Sequence, residues 1–126
     1  PLLRELASVA PGTFQHSVSV SVLADAAAHA VDADGFLARL GGEEFALLMP
    51  LPIGRAWERL DSMRRTSASQ PFLADPGADP IRVTFSAGIA SWPVDGTDLS
   101  QLLRRADVRL RQAKLEGRNR VLARDT

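Results

Sequence analysis

The spacing of apolar positions changes along the chain, and each change marks an element. Leu2, Leu3, Leu6 and Val9 fall on one helical face, so Pro1–Ala10 is predicted as a short helix, which "APGT" then breaks. "HSVSVSVLADAAAHAV" (16–31) reads two ways. Ser17 to Val22 alternates with period two, as a strand would, whereas Val18, Val22, Leu23, Ala26, Ala27, Ala30 and Val31 follow a helical face. The alanines and the length favour a helix over 16–31. After the turn "DADG", two short apolar runs, "FLARL" and "FALLM", flank Gly41-Gly42-Glu43-Glu44, the pattern of a β-hairpin.

Pro50–Gly54 leads into a helix over about Arg55–Ser67, with Ala56, Leu60 and Met63 facing inward and Trp57 beside them. A loop rich in proline and aspartate follows. "IRVTFSAGIASW" is a strand, with Val83, Phe85, Ala87 and Ile89 on one side and Arg82, Thr84, Ser86 and Gly88 on the other. "PVDGTD" is a turn, and Thr97 or Asp98 can cap the next helix. That helix has the strongest periodicity: Leu99, Leu102, Leu103, Ala106, Leu110 and Ala113. Arg104, Arg105, Arg109 and Arg111 lie elsewhere on it and read as a solvated face. Gly117 is its stop and "NRVLAR" a final short strand. From the hairpin onward the order is β-β-α-β-α-β, an α+β sandwich with helices against a sheet.

Composition narrows the classes. The chain has 126 residues, 45% hydrophobic and 24% charged, which suits one globular domain. Fifteen basic and fifteen acidic residues leave no net charge, so no global basic field points to nucleic acid. Cysteine is absent, which excludes disulfides and thiolate metal sites. No apolar run approaches the ~20 residues of a membrane span, so no membrane contact is expected of this segment. The chain begins at "PLLREL" without methionine and is expected to be a piece of something longer. Trp57 and Trp92 read as core or surface anchors.

Two clusters could carry chemistry. At the hairpin, Gly41 and Gly42 let a ligand approach the backbone, and their N–H groups could meet phosphate oxygens. Glu43 and Glu44 add two carboxylates, the donors Mg²⁺ takes together with phosphates and waters. The alternative is an ordinary glycine turn with a solvated acidic tip. In "AKLEGRNR", Lys114 and Arg118 could grip a triphosphate or simply offset the negative helix end.

"FLARLGGEEFALLMP", "VTFSAGIASWPVDGTD" and "LLRRADVRLRQAKLEGRNRV" resemble, in order, three signatures of the GGDEF domain, the diguanylate cyclase family, over about Gly35–Val121. The resemblance implies a palm-like nucleotidyl cyclase fold: an α+β domain with a central antiparallel sheet and helices packed on it. It implies a single GGDEF-like domain over 1–126, with 1–34 a divergent or truncated helical part and 35–126 bearing the signatures. It further implies condensation of two GTP into cyclic di-GMP with Mg²⁺ (or Mn²⁺) by a homodimer. A sensory or regulatory domain fused upstream and a cytoplasmic location also follow from it. Carried over, Glu43 is the catalytic and metal-binding carboxylate, with Glu44 beside it at the metal. Gly41, Gly42, His16, Lys114 and Arg118 contact the substrate.

The first third departs from the family. With His16 on the family's histidine, Leu3 stands at the first metal aspartate, Pro11 at the guanine-reading Asn, and Ser19-Val20 at the Gly-Asp pair. The family's opening strand is expected to be missing. The inhibitory Arg-x-x-Asp is replaced by Asp32 and Gly35 at its ends. The alternative to a cyclase is therefore a degenerate module that binds GTP or cyclic di-GMP and regulates a partner domain. "APGTFQHSVSVSVLADAAAHAVDAD" (10–34) also resembles the start of an HD phosphohydrolase domain of a membrane-anchored cyclic-dinucleotide phosphodiesterase family. His16 would there lie near a metal centre, but no His-Asp pair follows to build one.

Overall fold

The computed structural model describes residues 15–24, 36–70, 76–77 and 82–125. The elements are β1 (Gln15–Ala24), β2 (Phe36–Gly41), β3 (Glu44–Met49), α1 (Ile53–Ser69), β4 (Arg82–Ser91), α2 (Leu99–Leu115) and β5 (Val121–Leu122). They form one sheet in the order β2-β3-β1-β4-β5. The predicted helix at 1–10 and the latter part of the helix predicted at 16–31 lie outside the described residues.

The helix predicted from His16 is instead a strand through Ala24, and it is the middle strand of the sheet. The first third therefore does contribute a strand, where none was expected. The reason is the period-two serine–valine alternation. Val20 and Val22 enter one core at 0% exposure, while Ser19 and Ser21 turn to the opposite face. β-Branched valines resist a helix, and a strand between two ladders has both edges of its backbone hydrogen-bonded. The alanines that tipped the reading toward helix lie after the strand.

The sheet is mixed, which corrects the antiparallel expectation. β1 runs parallel to β3 and to β4, β4 runs parallel to β5, and only β2–β3 is antiparallel. The connections β3-α1-β4 and β4-α2-β5 are helical crossovers, which return the chain in the same direction, whereas the short β2–β3 hairpin reverses it.

The two helices cover opposite faces. Val83, Phe85, Ala87 and Ile89 of β4 join Val20, Val22, Phe45 and Leu47 in a core closed by Ala56 and Leu60 of α1. On the other face Leu23 and Ala90 meet Leu102 and Ala106 of α2. Trp57 is a surface anchor: its indole N–H donates to the carbonyl of Val121 at 2.8 Å and ties α1 to β5. Ser67 donates to the carbonyl of Val83 and fixes the other end of α1.

Asp98, rather than Thr97, caps α2, its carboxylate accepting from the N–H of Gln101 at 2.8 Å. The arginines of α2 do not share one solvated face. Arg104, Arg105 and Arg111 are exposed, but Arg109 is buried at 6% and paired with Asp95. Among the described residues no helix is long and apolar enough to cross a membrane.

Candidate functional site

The hairpin turn is built by glycine. Gly41 has φ 144° and Gly42 φ 54°, values that L side chains rarely adopt, and open space surrounds both. Positive φ at Gly42 and not at Glu43 is the φ pattern of a two-residue hairpin turn of type II′. Arg39 reaches over the turn and donates from Nε and Nη2 to the carbonyl of Gly42 at 3.1 and 2.9 Å. Gly42→Ala is expected to cost about 1 kcal/mol through the left-handed φ alone, since no neighbour obstructs a methyl group. Denaturant titration checks this, and a loss confined to the noise would contradict it.

The backbone of the signature carboxylates pairs with β1. The N–H of Ser19 donates to the carbonyl of Glu43 at 3.0 Å, and Ser19 pairs with Glu44 in the ladder. One register row crosses the sheet: Gly41, Glu44, Ser19 and Ser86. At its far end the N–H of Asn119 donates to Ser86 Oγ at 3.1 Å. A cleft of about 160 Å³ opens on the α2 side of this row, lined among others by Ser19, Ser21, Leu40, Glu44 and Asp107. Glu43 and Glu44 are both exposed.

The second cluster is the C-terminal end of α2. The N–H of Gly117 donates to the carbonyl of Lys114 at 3.3 Å, and that of Arg118 to Ala113 at 3.0 Å, closing the helix with Gly117 at φ 121°. This is a Schellman end, as the glycine stop predicts. Lys114 is half-buried and Arg118 exposed. Among the described residues neither cation is engaged in an ion pair.

The crossovers bring the clusters together. α2 runs back along β4, so its C-terminal end lies where the parallel strands begin, and β3 begins at the hairpin turn. Three strand spacings separate Glu44 from Asn119, on the order of 14 Å at about 4.8 Å each. His16 belongs to the same end of the sheet, its backbone in register with Val83 of β4. Two contributions are not among the residues expected from the sequence: Ser19 and Ser21 line the cleft because their stretch is a strand and not the predicted helix, and Arg64 reaches Asn119 from α1. The serine–valine alternation is the signal for the first pair; a contact spanning 55 residues leaves none for Arg64.

A family model described as "Diguanylate cyclase, GGDEF domain" matches residues 19–120. The chain belongs to the GGDEF family. It is 34% identical over 114 residues to the response regulator PleD of Caulobacter vibrioides, covering 87% of this chain and 25% of that protein. It is 38% identical over 90 residues to the diguanylate cyclase DgcP of Pseudomonas aeruginosa, covering 68% of this chain and 12% of that protein. The chain thus spans a quarter or less of these relatives' lengths. A 41-residue stretch, 32% of this chain and 6% of the relative, is 54% identical to the cyclic-di-AMP phosphodiesterase PgpH of Bacillus subtilis.

GGDEF domains are metal-dependent nucleotidyl cyclases, and the donors at the hairpin suit Mg²⁺ of one kind only. Glu43 and Glu44 offer hard carboxylate oxygens on consecutive residues, and the neighbouring strand adds hydroxyls, not carboxylates, at Ser19 and Ser21. No group of three acidic or histidine side chains capable of holding a metal occurs among the described residues. The set fits an ion that keeps waters and takes phosphate oxygens, rather than a closed protein cage.

Proposed function

We propose that this GGDEF domain binds GTP at the Gly41–Glu44 turn and, in a pair of copies, condenses two GTP into cyclic di-GMP, at a rate below that of a fully equipped site. The observation that supports it is the meeting of the signature turn and the Lys114–Arg118 pair at one end of one sheet. Gly41 and Gly42 offer backbone without side chains against a phosphate. Lys114 and Arg118 offset the phosphate charge from the other side. Glu43 and Glu44 would hold Mg²⁺, which when bound neutralises phosphate charge and makes the 3′-hydroxyl a better nucleophile. Each 3′-hydroxyl displaces pyrophosphate from the other GTP, so the reaction needs two sites face to face. In this reading an upstream domain controls that meeting.

The lowered rate follows from β1. Ser19 stands beside the signature carboxylates, and hydroxyls hold Mg²⁺ less well than carboxylates. Val20, at the family's guanine-reading aspartate, is fully buried in the α1 core and has no polar atom to offer a base. This favours a second reading, a module that binds GTP or cyclic di-GMP and regulates a partner without turnover.

Incubation with GTP and Mg²⁺, followed by chromatography for cyclic di-GMP, separates the two when paired with calorimetry. Slow product formation supports the first, and Glu43→Gln is then expected to lower it on the order of a hundredfold. Binding without product supports the second. No GTP or cyclic di-GMP binding sinks both.

A further inference from the structure

The loop that presents Arg118 is held in a conformation its residues disfavour. Arg118 and Asn119 adopt left-handed φ of 65° and 50°, directly after Gly117. Consecutive non-glycine residues in that region persist only where the surroundings over-determine them, and such strain clusters at functional sites. Contacts from four residues hold the loop, one of them a hydrogen bond from Arg120 Nε to the carbonyl of Arg118 at 3.1 Å. The N–H of Arg118 is bound by Ala113 of its own helix. The N–H of Asn119 is bound by Ser86, a fully buried side chain of β4. Arg64, from α1, donates from Nη1 to the carbonyl and Oδ1 of Asn119 at 3.3 and 3.4 Å. Arg64 is itself aimed by Asp61, whose buried carboxylate accepts from its Nε at 2.8 Å.

We propose that Arg64 is a positioning residue of the phosphate grip: it fixes the Asn119 carbonyl and with it the direction in which Arg118 leaves the loop. This rests on the reading of Lys114 and Arg118 as phosphate-binding cations. The Nε and Nη1 of Arg64 are engaged by Asp61 and Asn119. Arg64 acts through the backbone of Arg118.

The test is a double-mutant cycle of Arg64→Ala and Arg118→Ala in the full chain. Calorimetry measures binding of inorganic triphosphate and, separately, of GTP with Mg²⁺. Each single variant is expected to weaken binding about tenfold, the scale of one charge-assisted hydrogen bond. In the Arg118→Ala background, Arg64→Ala is expected to change nothing further. Arg64→Lys keeps the charge but cannot hold Asp61 and Asn119 together, so it is expected to lose as much; it also carries the cycle if the alanine variant does not fold. Equal losses from Arg64→Ala in both backgrounds, no loss in the parent, or full rescue by lysine overturns the proposal while the phosphate reading stands. If Arg118→Ala binds as the parent does, the phosphate reading fails, and the proposal with it.

Discussion

Gly88→Ala is expected to destabilise the domain by about 3 kcal/mol and lower its melting temperature by about 10 °C, at the upper end of overpacking. α2 lies directly on β4 at this residue. A methyl group there would stand 2.1 Å from the carbonyl oxygen of Ala106 and 2.4 Å from the N–H nitrogen of Leu110. Both obstacles are helix backbone, so no side chain can rotate away and the helix must move. That movement opens the contact of Leu23 and Ala90 with Leu102 and Ala106. It also shifts the end of α2 that carries Lys114 and one wall of the cleft. Gly54→Ala is the control, since nothing lies within 4 Å of its added methyl and its φ is ordinary. The same chemical change there is expected to be neutral or to stabilise by about 0.5 kcal/mol, through the unfolded chain. Scanning calorimetry decides: equal melting temperatures for the two variants would contradict the close packing of α2.

The elements most legible in the sequence are those whose signals are local. The hairpin follows from two glycines between apolar runs, and α2 from its three-and-four spacing, its Asp98 cap and its Gly117 stop. β1 is hard to read from the sequence because two periods overlap in it and the alanines after Ala24 weigh toward helix, whereas Gln15–Ala24 form a strand. The alternation places Gly88 on the polar side of β4, but that side is buried under α2, and only the depth of the packing explains a glycine there. The candidate site divides in the same way. Glu43 and Glu44, or Lys114 and Arg118, are each visible within a few residues. Their meeting at one sheet end depends on two parallel crossovers and on β1 lying between β3 and β4, which no local pattern encodes. Arg109 is the instructive case. It shares the helical spacing of Leu102, Ala106 and Ala113, so a buried charge could be read from the sequence, but its partners lie 14 and 16 residues away in loops.

Removal of either partner of the Arg109–Asp95 pair is expected to cost about 3 kcal/mol, because loss of Arg109 leaves the Asp95 carboxylate largely buried without the cation that holds both its oxygens, and loss of Asp95 leaves the buried guanidinium only the exposed Asp125. Arg109 donates from Nη1 and Nη2 to the two oxygens of Asp95 at 2.9 and 3.0 Å, from Nη1 to the carbonyl of Ile89 at 2.8 Å, and from Nε to Asp125 at 3.2 Å. Asp95 also accepts from the N–H of Ser91 at 2.8 Å, so the pair fastens the loop after β4 to the middle of α2. Burial by itself raises the pKa of Asp95. The hydrogen bonds from Arg109 and Ser91 and the charges of Arg109 and Arg105 outweigh it and hold the carboxyl below its ordinary value of 3.8. Arg109 is raised from an already high value, its burial outweighed by Asp95 and Asp125, and stays charged at every ordinary pH. A carboxyl depressed on folding binds its proton more readily in the unfolded chain. Its contribution is therefore complete above about pH 4 and is lost as pH falls through the lower folded value. Urea titrations from pH 7 down to pH 2.5 are expected to show this loss in the parent, and Asp95→Asn to lack that part of the slope while being less stable at neutral pH. In a double-mutant cycle, Asp95→Ala and Arg109→Met together are expected to cost less than the sum of the two single changes. Additive losses, or an acid slope unchanged by Asp95→Asn, would show that the stability of the loop–helix junction lies elsewhere.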